Sequence, residues 1–172
     1  MINVYLLRHS NAEDHPPQGE RGDAARRLTP EGIEKAQVIG QAMRRMKLKF
    51  DLVLSSPAAR ARQTAERVVA ELDPQPPLEF HEGLWIGGDL RPVMSRLNQS
   101  PRPPQEVLLV GHEPDLGRMV SLWLAGGEPL SLIFKKGGLC KLSATRILPG
   151  QCATLEWHLT PTQLRWIAQT LP

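Results

Sequence analysis

EVLLVGHEPDLGRMVSLWL, residues Glu106 to Leu124, holds a strand, a turn and a helix in immediate succession. After Glu106 the run to Val110 is wholly apolar, as expected of a strand buried on both faces. It stops at Gly111 and His112, and then Leu116, Met119, Val120, Trp123 and Leu124 recur at i, i+3, i+4, i+7 and i+8, which predicts one apolar helix face. The same order occurs twice upstream. Val4, Tyr5, Leu6 and Leu7 end at Arg8 and His9, with polar Ser10 and Asn11 following. Thr29 as N-cap and Pro30 at the first helical position then open a helix carrying Ile33, Ala36, Ile39, Met43 and Met46 on one face. Asp51 to Leu54 is a third apolar run, ended by Ser55, Ser56 and Pro57. Ala61, Ala65, Val68, Val69 and Leu72 mark the helix after it, with Ser56 as its expected cap.

Elsewhere the signals are shorter. The segments Asp73 to Pro77 and Ser100 to Pro104 are proline-rich loops, with a short helix expected between Leu90 and Asn98. Two further strands are predicted over Gly138 to Ser143 and Ala153 to Leu159. Thr160, Pro161, Thr162 and Gln163 form a capping-box pattern that opens a last helix. Strands alternating with helices of this length predict an α/β fold, a mostly parallel mixed sheet with helices on both faces in a three-layer sandwich.

Bulk composition narrows the function classes. A chain of 172 residues suits a single domain spanning 1–172, and 41% hydrophobic with 23% charged residues is ordinary for a globular protein. With 21 Lys and Arg against 18 Asp and Glu, the net charge of +3 suits a phosphate or an acidic partner but does not imply nucleic acid. No apolar run approaches membrane-spanning length and no signal-peptide pattern is present, so a cytoplasmic protein without membrane contact is expected. Cys140 and Cys152 lack any metal-ligand spacing and are expected as reduced core residues. The five histidines, His9, His15, His81, His112 and His158, show no HxxxH or HxH spacing, in keeping with a site that uses no metal or other cofactor.

In a sheet of this kind ligands bind beyond the carboxyl ends of the strands. Arg8 and His9 follow the first strand, Arg60 and Arg62 lie in the helix turn after the next, and His112 follows the strand of the opening stretch. Placed side by side, these ends bring two imidazoles and at least two guanidiniums into one pocket, and helix N-termini add backbone donors. A phosphoryl group is the ligand that such a pocket would hold. Arg62, two residues from Arg60 on a helix, points elsewhere and is expected on the surface, as is Arg27. Trp85, Trp123, Trp157 and Trp166 are expected in the core or an interface rather than as a nucleic-acid platform, and Lys135 and Lys136 on a loop face. Glu113 and Asp115 read as first-turn acids at a helix N-terminus, and His81 and His158 as structural.

RHS at 8–10, SSPAARARQTA at 55–65 and VGHEP at 110–114 resemble, in order and spacing, the motifs of the histidine phosphatase superfamily, which includes the phosphoglycerate mutases. The small size, the segment DAARRLTPEG at 23–32 and the short middle are most similar to its SixA-type phosphohistidine phosphatase branch. The resemblance implies a phosphoglycerate mutase-like fold and a covalent phosphohistidine intermediate. It makes His9 the nucleophile, Arg8 and Arg60 the arginines on the phosphoryl oxygens, His112 the second imidazole, and Arg26 an accessory phosphate-binding arginine. Ser10 stands where the family usually has glycine. A carboxylate after the second motif acts as general acid in the ester-cleaving branches, and Glu82 and Asp89 are the candidates here. Three functions follow as expectations: a phosphatase for phosphohistidine on a signalling protein, such as a histidine-containing phosphotransfer domain; a phosphatase for small phosphate esters; or a non-catalytic phosphate-binding module. A mutase is disfavoured by the short chain, and a monomer is expected.

Overall fold

The computed structural model describes residues 1–98 and 103–169. Six strands form one sheet: β1 (Ile2–Arg8), β2 (Leu52–Ser55), β3 (Leu78–Phe80), β4 (Glu106–Gly111), β5 (Leu139–Ala144) and β6 (Ala153–Leu159). Their spatial order is β3-β2-β4-β1-β5-β6. The first four in that order run parallel, while β5 pairs antiparallel with both β1 and β6. The mixed, mostly parallel sheet expected from the sequence is therefore the one observed. β3 escaped the sequence reading because three residues at a sheet edge, two of them exposed, carry no periodicity.

Five helices cover the two faces: α1 (Pro30–Arg45), α2 (Ala59–Ala70), α3 (Leu90–Asn98), α4 (Asp115–Ala125) and α5 (Pro161–Gln169). The alternation of side chains along each strand decides which helices share a core. Val4, Leu6, Val107 and Leu109 point to a core completed by Val93, Met94 and Leu97 of α3 and by Leu116, Met119 and Trp123 of α4. Tyr5, Leu7, Leu108 and Val110 point the other way, into a core with Ile39 and Met43 of α1, Ala65 and Val68 of α2, and Leu164 of α5. Continuous apolar runs in β1 and β4 are thus required by two separate cores, one on each face.

Local signals set the helix ends. Thr29 accepts from the Gly32 amide at 3.0 Å with Pro30 following it, and Thr160 and Gln163 exchange the two bonds of a capping box. The cap expected at Ser56 is a correction: α2 begins at Ala59 and Ala58 occupies the cap position without a side-chain bond. One other expectation changes: Cys152 is only half-buried beside Leu148 while Cys140 is buried. Trp166, expected in the core or an interface, is 61% exposed and so lies outside the core, which α5 meets through Leu164. Trp123 is fully buried, and Trp157 stacks edge-on against Tyr5. Of the second proline-rich loop, Ser100 to Arg102 lie outside the described residues, and Pro103 and Pro104 have no regular structure.

Candidate active site

The C-terminal ends of β1, β4 and β2 lie side by side, and hydrogen bonds join the residues just past them. The His9 amide donates to the Gly111 carbonyl at 3.0 Å, and the Ser56 amide to the Val110 carbonyl at 2.9 Å. His9 and His112, far apart in sequence, consequently face each other with ring centroids 5.1 Å apart. The chain after β1 is held down by α2 and α1. Ser10 donates its amide to Thr64 Oγ1, Gln63 Oε1 accepts from the Leu28 amide, and the Thr29 amide donates to the Asn11 carbonyl. A Cβ on Gly32 would sit 1.9 Å from the Asn11 carbonyl oxygen, so only glycine lets α1 approach this loop.

Arg60, on the first turn of α2, is 2% exposed and donates Nε to His9 Nε2 at 3.2 Å. On the opposite side of the ring, His9 Nδ1 lies 2.7 Å from the Ser10 carbonyl oxygen. A carbonyl only accepts, so Nδ1 carries the proton and Nε2 holds the lone pair. Burial, reinforced by the charges of His112, Arg60 and Arg8, pushes the His9 imidazole down to about 3, although the Ser10 bond opposes the shift. Burial, with the Arg60 charge, likewise brings His112 down to about 4. Both rings are neutral at pH 7. His112 Nε2 is hydrogen-bonded to Ser56 Oγ at 2.8 Å, which gives Ser56 a site role in place of the expected cap.

Arg8 donates Nη1 to the Phe134 carbonyl at 2.7 Å, from the loop that carries Lys135 and Lys136. Its Nε is buried with no partner, as are Ser10 Oγ, His112 Nδ1 and Glu113 Oε1. Unsatisfied buried polar atoms are rare in native proteins, and four on neighbouring residues at one sheet end mark a place for a polar ligand. Glu113 precedes α4 instead of lying in its first turn, and burial raises its carboxyl against the opposing charge of Arg8. Asp115 is the first-turn acid, accepting from the Gly87 amide.

Arg26 does not touch either imidazole. It donates Nε to Asp23 Oδ1 at 2.7 Å and Nη1 to the Glu13 carbonyl, and Asp23 links it to Arg60. Asp23 is a polar group to which the sequence reading gave no role: it opens the segment 23–32 that carries part of the resemblance, but nothing local in that segment marks a carboxylate bridging two arginines. Arg62 pairs with Glu66 on the surface and Arg27 with Glu20, both as expected. Glu82 is exposed, and Asp89 is exposed and tied to Arg91. His81 accepts from the Gly83 amide in a turn, and His158 packs against Phe134, so both are structural. Among the described residues no group of three or more His, Cys, Asp or Glu is placed to hold a metal ion, and no helix is long and apolar enough to cross a membrane.

The profile of the histidine phosphatase superfamily, branch 1, matches residues 4–85, which include Arg8, His9, Arg26 and Arg60. An uncharacterised protein of Picosynechococcus is 35% identical over 143 residues, covering 82% of this chain and 84% of that one. The chain belongs to the histidine phosphatase superfamily. Within this superfamily its likeness is SixA-type. The phosphohistidine phosphatase SixA of Escherichia coli is 25% identical over 165 residues, which are 95% of this chain and 97% of that one. A structure of the protein histidine phosphatase SixA complexed with tungstate superposes with a TM-score of 0.79 at 25% identity, over 95% of this chain and 99% of that one. The α-ribazole phosphatase of Shigella flexneri shares the fold, with a TM-score of 0.62 at 18% identity over 93% of this chain and 97% of that one. Histidine phosphatase membership and these SixA-like neighbours support phosphatase activity.

Proposed function

We propose that this histidine phosphatase removes the phosphoryl group from phosphohistidine on a signalling protein, such as a histidine-containing phosphotransfer domain, through an intermediate phosphorylated on His9. The observation that carries the reading is the fixed tautomer of His9, whose unprotonated Nε2 lies among arginines at the end of β1. The Nε2 lone pair attacks phosphorus, and the P–N bond to the substrate imidazole, protonated on its other ring nitrogen, breaks so that its electron pair leaves with that ring as neutral imidazole. Water then attacks phosphorus and passes a proton to solvent, and His9 recovers its lone pair as the P–N bond breaks and orthophosphate departs. Arg8, Arg60 and Arg26 neutralise charge on the phosphoryl oxygens. His112, whose Nε2 is hydrogen-bonded to Ser56 Oγ, is the second imidazole of the pocket and leaves its Nδ1 without a protein partner. No metal or other cofactor takes part.

The choice of phosphohistidine turns on the leaving group. An imidazole ring, whose conjugate acid titrates near pH ~6.5, takes up the needed proton on its far nitrogen from water near neutral pH and departs neutral, whereas a serine or sugar alkoxide needs a positioned acid. Glu82 and Asp89 are exposed, and among the described residues neither is hydrogen-bonded to His9, His112, Arg8 or Arg60. An apolar shelf formed by Ala24, Ala58, Trp85 and Ile86 borders a cavity of about 430 Å³ next to Asp23, a fitting surface for a protein carrying the phosphorylated ring. The second reading, hydrolysis of small phosphate monoesters, is favoured by one feature, the Glu113 carboxyl raised by burial.

Turnover of a phosphohistidine protein, a phosphoserine peptide and an aryl phosphate, each with EDTA present, separates these readings. Phosphohistidine should be cleaved far faster than phosphoserine, His9→Ala should lose both turnover and trapped phosphoenzyme, and Glu82→Gln should stay within roughly tenfold. Equal rates on phosphoserine, lost selectively in Glu82→Gln or Glu113→Gln, would establish the small-ester reading instead.

A further inference from the structure

Asp23 lies in a 3-10 turn, Asp23–Ala25, entered through Gly22 at φ 88°, a left-handed conformation that glycine adopts without strain. Its carboxylate bridges two arginines. Oδ2 accepts from Arg60 Nη2 at 2.6 Å and Oδ1 from Arg26 Nε at 2.7 Å, while the Asp23 main-chain carbonyl accepts from Arg60 Nη1 at 2.7 Å. The third nitrogen of Arg60, Nε, donates to His9 Nε2. An anion therefore already engages Arg60, and Arg60 in turn covers the lone pair of His9.

A carboxylate and a phosphoryl group present the same thing to a guanidinium, two anionic oxygens at fork spacing. A phosphoryl group on His9 Nε2 has to take the place of Arg60 Nε there and needs donors that Asp23 now uses. The two partners differ in freedom to move. The Asp23 side chain is 51% exposed and can swing into water without burying a charge, whereas that of Arg60 is 2% exposed.

We propose that Asp23 is the resident anion of this site: its carboxylate holds Arg60 and Arg26 between turnovers, is exchanged for the entering phosphoryl group, and so sets the affinity of the site for phosphoryl ligands. The inference rests on the reading of the Arg60–His9 pocket as the phosphoryl site. It also gives Arg26 its place, as the second arginine released when Asp23 leaves.

The test measures inhibition by vanadate and by orthophosphate, with kcat and KM, in wild type, Asp23→Asn, Asp23→Ala, Asp23→Glu, Glu20→Gln and Arg60→Ala. A charge-assisted hydrogen bond that no longer has to be broken should let Asp23→Asn and Asp23→Ala bind both oxyanions about tenfold more tightly and lower KM, without a rise in kcat. Asp23→Glu, which keeps the carboxylate, should return affinity toward wild type. Glu20→Gln removes the same charge from the same loop, where it pairs with Arg27, and should shift affinity by less than about twofold. Weaker or unchanged oxyanion binding in Asp23→Asn overturns the inference, as does equal tightening in Glu20→Gln. If wild type binds neither oxyanion, or Arg60→Ala binds them as well as wild type, the pocket assignment itself falls and takes the inference with it.

Discussion

Single side chains in this protein are told apart by burial and partners more than by type. Arg60 and Arg62 stand two apart on one helix, yet Arg60 bonds to His9 and Asp23 from a buried position while Arg62 reaches only Glu66 at 3.8 Å on the surface. Arg60→Ala should therefore cost on the order of 2 to 4 kcal/mol in kcat/KM, the range for a lost transition-state donor. Arg62→Ala should cost less than about 0.5 kcal/mol, as exposed ion pairs do. Steady-state kinetics on a phosphohistidine protein checks both, and equal effects would refute the assignment of Arg60. Ser10 behaves unlike either. Its hydroxyl is buried without a partner while its amide is held by Thr64, so the side chain that departs from the family pattern is accommodated without a hydrogen bond of its own to the protein.

At the scale of elements, α2 acts as a clamp. Arg60, Gln63 and Thr64 are spaced i, i+3 and i+4 and so share a face. From that face they bond to His9, to the Leu28 amide and to the Ser10 amide, joining two loops that the sequence separates. The apolar stripe of α2 was legible as a pattern, but the polar face carries no periodicity that distinguishes a clamp from a solvated surface. Ser56 illustrates the same limit. A serine ahead of a helix reads as a cap, but the turn places it two residues early and its hydroxyl goes to His112. On α1, the close approach at Gly32 allows a direct test. Gly32→Ala should destabilise the fold by roughly 2 kcal/mol or more, at the upper part of the usual overpacking range, because its Cβ meets a backbone oxygen rather than a flexible side chain. Urea denaturation measures the loss, and kcat/KM should fall with it, since the Asn11 carbonyl that must move belongs to the loop bearing His9. An unchanged midpoint would show that the loop yields freely.

For the whole molecule, folding buries two imidazoles among cations, and this makes stability depend on pH. Unfolded, His9 and His112 titrate near pH ~6.5, whereas folded they titrate at about 3 and about 4. Between those values the unfolded chain binds more protons than the folded one, so stability falls as pH drops from about 6.5 and is restored above it. The urea midpoint should accordingly decrease from pH 7.5 to pH 4.5, and less steeply in His9→Ala. A wild-type midpoint constant across this interval would contradict the burial of neutral imidazoles.

By itself the sequence determined the alternation of strands and helices, since apolar runs and 3.6-residue stripes are local consequences of burial on two faces and on one. It also marked Arg8, His9 and His112, because a charge or an imidazole at the end of an apolar run has a definite position in a parallel sheet, while Arg60, in the helix turn after the next strand, was set apart from Arg62 by the resemblance of residues 55–65 to the family motif. Tertiary structure alone decided the strand order β3-β2-β4-β1-β5-β6, which brings the ends of β1 and β4 together. It alone settled the tautomer of His9, the partner of Ser56 and the bridge from Asp23 to two arginines. The contacts of Ser56 with His112 and of Asp23 with Arg60 join residues far apart in the chain, and those of His9 with Ser10 and of Asp23 with Arg26 depend on how a turn aims one side chain; neither kind leaves a period in the sequence from which it could be read.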